Sequence, residues 1–505
     1  MMDRSSGVLM HISSLPNRYG IGSFGQAAYE FVDFLVETKQ TYWQILPLTT
    51  TSYGDSPYQS FSAHAGNPYF IDLDVLIEEG YLQVSDLAGI DFGKDASQVD
   101  FGLIFDSRQA ILAKAVGRFK ANADQTDYLD FVEKNQSWLE PFAEYMAIKE
   151  TFELKAWYEW DEPARNRQAA AMESYRSDLK DRMEYYRVTQ YFFNQQWQAL
   201  KAYANDQGIQ IVGDIPIYVA RDSVEMWTQP ELFKVDTDGN PTLVAGTPPD
   251  NFSEDGQFWG NPIYDWTYHQ KTGFAWWIER FKESFKLYDW VRIDHFRGFE
   301  SFWQVPISAE TSAEGEWTQG PGYALFEAVK QDLGNLNIIA EDLGFMTPEV
   351  IAMREATGFP GMKILQFGFI EAGDSTDLPH HYEANTVAYV GTHDNETAQG
   401  WAKDTASAAD LDKLKNYFCQ SSQESVADVL NRGIAMAVSD LVVYRMQDLL
   451  DLGNEARMNT PAILGGNWQW RMVEGQLTQV VKDKLIHWTK TYFRENPLLV
   501  NEKEE

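Results

Sequence analysis

The chain has 505 residues, 41 of them Lys or Arg and 75 Asp or Glu, which leaves a formal charge of −34. A surface this acidic repels nucleic acid and anionic lipid, so neither is expected as a partner, whereas a neutral ligand meets no electrostatic barrier. A single cysteine, Cys419, excludes an internal disulfide framework and a Cys-rich metal centre, and its thiol is expected to be a small buried hydrophobe.

In chain order, residues 1–7 hold no apolar stretch of signal-peptide length, and no later run of about 18 apolar residues could span a membrane. A cytoplasmic location is therefore expected. Strand-like runs lie at 42–48 and 209–219. Between them, from about 74 to 208, the pattern turns to long, polar, helix-forming segments. In 184–203, Tyr185, Val188, Phe192, Ala199 and Tyr203 recur at helical spacing, which predicts a packed helix in a helical insertion. A second insertion, from about 222 to 275, is rich in Gly, Pro, Asp and Trp and is expected to form loops over a site. Beyond it, apolar runs alternate with helical patterns. A strand over 290–294 precedes a helix over 322–333 and a strand ending near Glu341. Thr347 and Pro348 then supply an N-cap and a proline at the first helical position, and Gly358 a stop. Strands follow at 362–369 and from Thr386, and the last apolar run, 441–450, suits a strand or a helix. Repeated β-α units predict the α/β class. The closed (β/α)8 TIM barrel fits best, as one catalytic unit over 1–505 with helical and loop-rich insertions between strands.

Three of these runs deliver a carboxylate where they break into a loop: Asp294, Glu341 and Asp394. Acids at the carboxyl ends of parallel strands are how a barrel assembles a glycosidic site. Arg292, two residues before Asp294, shares its face of the strand and favours the ionised form that a nucleophile needs. Glu341 follows Ile338, Ile339 and Ala340, and partial burial there would raise its pKa, as a proton donor requires. One strand-end acid is commonly an ion-pair partner; three, with Arg292, His295 and His393 beside them, point to chemistry. Seventeen Trp, 25 Tyr and 30 Phe supply a core and also faces on which sugar rings can stack. The eight histidines include an adjacent pair, His380 and His381, but no HExxH spacing, so no metal site is expected. His295 and His393 suit sugar hydroxyls, while His11 and His64 suit structural roles. Phosphate loops and nucleotide fingerprints are absent from the sequence, so no cofactor is expected.

Longer motifs carry a resemblance. They are Gly7-Val8-Leu9-Met10-His11-Ile12-Ser13-Ser14-Leu15-Pro16, Asp55-Ser56-Pro57-Tyr58-Gln59, Gly213-Asp214-Ile215-Pro216-Ile217-Tyr218, Gly246-Thr247-Pro248-Pro249-Asp250, Phe258-Trp259-Gly260-Asn261-Pro262, and Gly453-Asn454-Glu455-Ala456-Arg457-Met458-Asn459-Thr460-Pro461. With the three acid motifs in order, the chain resembles the amylomaltases, the 4-α-glucanotransferases of glycoside hydrolase family 77, almost end to end. The resemblance implies a retaining transfer between α-1,4-glucans, with a maltooligosaccharide donor and a glucose or oligosaccharide acceptor. It implies that Asp294 is the nucleophile, Glu341 the acid/base and Asp394 the acid that grips sugar hydroxyls. It further implies sugar contacts from Tyr58, Asp214, Phe252, Gln257, Trp259, Arg292, His393 and Asn467. In these roles the Asp294 and Glu341 carboxyls are expected roughly 5–5.5 Å apart. One departure stands out: Asn251 precedes Phe252 where some members carry an aromatic pair, which leaves half of a sugar clamp missing. The residues alone do not separate transfer from amylase-type hydrolysis or from a barrel that only binds glucan.

Overall fold

The computed structural model describes residues 2–122, 124–249, 255–370 and 373–500. Its strands, in chain order, are β1 (Ser5–Leu9), β2 (Tyr42–Gln44), β3 (Gln210–Pro216), β4 (Leu243–Thr247), β5 (Gln257–Pro262), β6 (Trp290–Asp294), β7 (Ser301–Pro306), β8 (Glu316–Gln319), β9 (Ile338–Ala340), β10 (Gly361–Ile364), β11 (Thr386–Tyr389) and β12 (Leu441–Arg445). Eight of them pair in parallel in the order β10-β11-β12-β1-β2-β3-β6-β9. Chain order is therefore also the order around the ring, and the fold is the expected (β/α)8 barrel. Every residue of β1, β11 and β12 is buried, because one face of each strand fills the barrel and the other lies under helices. The ring joins its first strand to its last, Ser5 opposite Leu441 through Leu9 opposite Arg445. Between β9 and β10 it is nearly closed: Ala340 N–H donates to Pro360 O at 2.9 Å just ahead of β10.

Beneath the ring, buried Arg494 gathers the two chain ends. Its guanidinium donates to the carbonyls of Ser5, Ala435, Ala437 and Ser439 at 2.7–3.1 Å.

The region 74–208 is helical, and its longest helix, Lys180–Asp206, runs 27 residues. Tyr185, Val188 and Phe192 are buried as expected, but Ala199 is exposed and Leu200 and Ala204 are buried in its place. The buried stripe moves round the helix because its second half leaves the insertion and packs on the barrel, where Trp197 Nε1 donates to Leu287 O. The region 222–275 holds short helices (Val224–Thr228 and Trp266–Lys271) as well as loops. Its strands β4 and β5 join β7 and β8 in an antiparallel sheet, ordered β5-β4-β7-β8.

Several boundaries differ from expectation: the run 42–48 is a strand only over Tyr42–Gln44, and 209–219 only over Gln210–Pro216. The strand expected over 362–369 stops at Ile364, and Phe367–Ile370 is a helical turn. The run 441–450 is both things in succession, β12 and then the helix Met446–Leu449. Cys419 is not buried. It is exposed as the C-cap of the helix Ala408–Phe418, in a left-handed conformation (φ 51°), where the chain turns away from the core. The helix Pro348–Thr357 begins and ends as read: the Thr347 side chain accepts from Val350 N–H, and Gly358 caps it at φ 74°.

Candidate active site

Pairing between β3 and β6 puts Asp214 opposite Arg292 and Pro216 opposite Asp294. Side chains two apart on a strand share a face, so Arg292 stands between two carboxylates. Its NH1 donates to Asp214 Oδ2 at 2.6 Å and its NH2 to Asp294 Oδ1 at 3.0 Å. Next to Asp214, Gly213 faces the other side of β3, where a Cβ would lie 2.2 Å from the Tyr288 ring. The guanidinium and the Asp214 carboxyl are buried, while the Asp294 side chain is 30% exposed. The inner carboxylate is thus held by protein and the outer one faces the opening. Burial pushes the Asp214 carboxyl up to about 7, against the pull of Arg292. The pair's 2.6 Å contact and the strongly raised Arg292 favour the ionised pair.

Glu341 follows β9 directly, and Ile293 pairs with Ala340, so Glu341 stands level with Asp294 on the neighbouring strand. Its Oε2 accepts the His295 backbone N–H at 2.6 Å. His295 turns that N–H inward by adopting a left-handed conformation (φ 54°), costly for a residue with a side chain and typical of functional sites. Burial raises the Glu341 carboxyl well above the usual range, and Asp294 adds to the rise while Arg292 opposes it. Two neighbouring carboxyls thus have different environments, one beside a cation and one short of solvent, as an acid and a nucleophile require.

Asp394 lies five residues past the end of β11 and 41% of its side chain is exposed. Asn459 Nδ2 donates to its Oδ1 at 2.6 Å, Arg457 NH2 to its backbone carbonyl at 2.7 Å, and His393 Nε2 sits 3.4 Å from its Oδ2. Burial lowers the His393 pKa, which keeps the ring neutral. Tyr58 joins the two halves of the site: its hydroxyl donates to Asp214 Oδ2 at 2.9 Å, and its ring stacks on His393 with centroids 5.1 Å apart. Asp214 Oδ1, buried, has no partner among the described residues.

Gln257 and Trp259 alternate with exposed Phe258 along β5, and Trp259 Nε1 donates to Gln257 Oε1 at 3.1 Å. The Trp259 ring meets His295 edge-on at 4.8 Å, which brings this strand against the residue that follows Asp294. Phe252, with Asn251, lies outside the described residues. Asn467 sits beside Trp468, but its amide is spent on its own loop: the oxygen accepts from Thr460 N–H and the nitrogen donates to Ile463 O. His11 is structural, its Nδ1 accepting from Leu46 N–H at 3.2 Å, and burial lowers its pKa to about 3.

The profile of the 4-alpha-glucanotransferases, glycoside hydrolase family 77, matches residues 10–477. The chain belongs to this family. A 4-alpha-glucanotransferase of Streptococcus pneumoniae serotype 4 is 60% identical over 504 residues, the whole of both chains. One from Clostridium butyricum is 47% identical over 488 residues, covering 96% of this chain and all of that one. Among solved structures, the amylomaltase of Streptococcus agalactiae in complex with acarbose superposes with a TM-score of 0.95 at 49% identity, over 97% of this chain and all of that one. Family membership makes this chain a glycosyl-transferring enzyme. For such a transferase, Asn459 and Arg457 are the contacts that the sequence left without a role. They lie in the quoted motif from Gly453 to Pro461, yet 65 residues separate Asn459 from Asp394, and no spacing rule links them.

Proposed function

We propose that the chain disproportionates α-1,4-glucans by a retaining double displacement. An Asp294 carboxylate oxygen attacks the anomeric carbon while Glu341 gives its proton to the departing glycosidic oxygen, leaving a glycosyl ester on Asp294. The acceptor's 4-hydroxyl then loses its proton to Glu341 and attacks the same carbon, which releases Asp294. Asp394, steadied by Asn459, holds hydroxyls of the reacting sugar. Tyr58, Asp214, Arg292 and His393 line its subsite. Gln257 and Trp259 roof the neighbouring subsites, and Phe252 and Asn467 are assigned to them on family resemblance alone. The two insertions, about 74–208 and 222–275, belong to one catalytic unit.

The observation that carries this reading is the shared guanidinium: Arg292 holds Asp294 at 3.0 Å beside Glu341, whose carboxyl burial pushes above the usual range. Transfer prevails over hydrolysis when the acceptor site is kept dry, and the strand bearing Gln257 and Trp259 supports that. The deciding experiment is maltotriose alone, without added metal, with products resolved by length. Glucose plus a ladder of longer oligomers is the expected result. Glucose and maltose with nothing longer makes water the acceptor, and no turnover by a folded chain leaves a glucan-binding barrel. Asp294→Asn and Glu341→Gln should each fold and lose activity by at least about 10²–10⁴-fold. A crystal structure should find their carboxyls roughly 5–5.5 Å apart; beyond about 6.5 Å, direct attack by Asp294 is excluded.

A further inference from the structure

His380 and His381 are consecutive on the short turn Pro379–His381, between β10 and β11, in a connection that reaches β11 at its N-terminal end. Adjacent side chains on such a turn ordinarily diverge. These converge: their ring centroids are 4.1 Å apart, and both Nε2 atoms point at one oxygen of Asp374, at 3.1 Å and 2.8 Å. The ligand-capable atoms of the three residues all lie within 4.8 Å of one another. Tyr417, from the helix Ala408–Phe418, fixes the His380 ring through a 2.8 Å hydrogen bond to Nδ1. The imidazoles are 49% and 39% exposed and the carboxylate 65%, so the three groups are open to an ion from solvent.

We propose that Asp374, His380 and His381 form a surface site for one divalent transition-metal ion of the zinc class. Two imidazoles and a carboxylate are a zinc donor set, with water completing a tetrahedron. Ligand atoms in such a shell lie about 3.4 Å apart, given metal–ligand bonds of about 2.0–2.1 Å. The two His–Asp contacts need only widen by a few tenths of an ångström as the ion displaces the hydrogen-bonded protons. With Nε2 on the metal, Nδ1–H of His380 donates to the Tyr417 oxygen, the outer hydrogen bond that orients a ligating imidazole. Hard ions such as Mg2+ seek an all-oxygen shell and do not match this set. Sequence spacing could not show the site, because a bare His-His pair has no ligand geometry until folding brings Asp374 to it. The site is independent of the glucan chemistry, whose residues follow β6, β9 and β11 at their carboxyl ends.

The test is calorimetric titration of the full-length, metal-stripped chain with Zn2+, repeated by absorption with Co2+. One ion per chain in the micromolar range is expected, weakened at least about tenfold in His381→Ala and in Asp374→Asn. Cys419→Ser and His487→Ala, the other exposed thiol and imidazole, should leave it unchanged. The proposal is overturned by an absence of micromolar binding. It is equally overturned by binding that both site variants retain, or that disappears with Cys419→Ser or His487→Ala, since scattered surface groups then hold the ion. The mutated side chains are on the surface, and matching melting curves establish that each variant is folded.

Discussion

Glu341 is held at odds with its own ionisation. Burial and Asp294 raise its carboxyl pKa, so the native state binds that proton more tightly than the unfolded chain does. Stability must then fall as pH rises from the unfolded carboxyl's value, near 4.3, to the raised native one, and stay lower above it. Glu341→Gln keeps an acceptor for the His295 N–H and cannot ionise. Its melting temperature should therefore exceed that of the unmodified chain at pH 9 and match it at pH 4, while its activity is lost; equal melting at both values would show that the burial of Glu341 costs nothing. Asn459 offers a second test at this scale. Asn459→Ala removes a charge-assisted hydrogen bond from Asp394, worth about 1.5–3 kcal/mol. If Asp394 grips the reacting sugar more tightly in the transition state than in the bound substrate, loosening its carboxylate should lower kcat by up to roughly 10–150-fold, and the melting temperature should fall with the lost hydrogen bond. A wild-type kcat would mean that Asp394 orients itself without help.

Among the elements, the β9–β10 boundary is the place where the ring depends on side chains. Asp342, next to Glu341, accepts the Met362 N–H at 2.7 Å with one oxygen and meets Arg354 Nε at 3.2 Å with the other. Both side chains are about nine-tenths buried. Asp342→Ala leaves Arg354 uncompensated, which should destabilise by about 3–5 kcal/mol in denaturant unfolding. Activity should fall with it, since Glu341 is the adjoining residue. Such cross-strand ties explain how far the sequence was legible. Asp294 and Glu341 could be read because each follows an apolar run on its own strand, and the helix Pro348–Thr357 because its caps are local. The strand length at 362–369 and the nature of 441–450 could not be read, since a short apolar run looks alike in a buried strand and a buried helical turn. The Ala199 discrepancy has the same root: periodicity shows that a helix has a buried face, whereas which face depends on what packs against it. Asn467 shows the reverse case, a motif position whose side chain is committed to its own loop.

Across the whole molecule, the −34 formal charge sets what the surface attracts. A neutral glucan gains nothing from that field, so KM for maltotriose should stay constant when ionic strength rises from about 0.01 M to 0.15 M, although the Debye length contracts from about 30 to 8 Å. A KM that climbs or falls severalfold over that range would indicate a charged ligand or a charge-gated cleft. No helix among the described residues is long and apolar enough to cross a membrane. The pairing of β1 with β12 has a consequence in time. Ser5 waits for Leu441. At a synthesis rate of about 5–20 residues per second, the first strand spends roughly 20–90 s with one edge open before its partner exists. Until then the nascent chain carries an unfinished ring, and Arg494, which gathers both ends, is made later still. Folding of this barrel therefore ends with about the last eighth of the chain, and a ribosome stalled before residue 441 holds a protein whose oldest strand is still exposed.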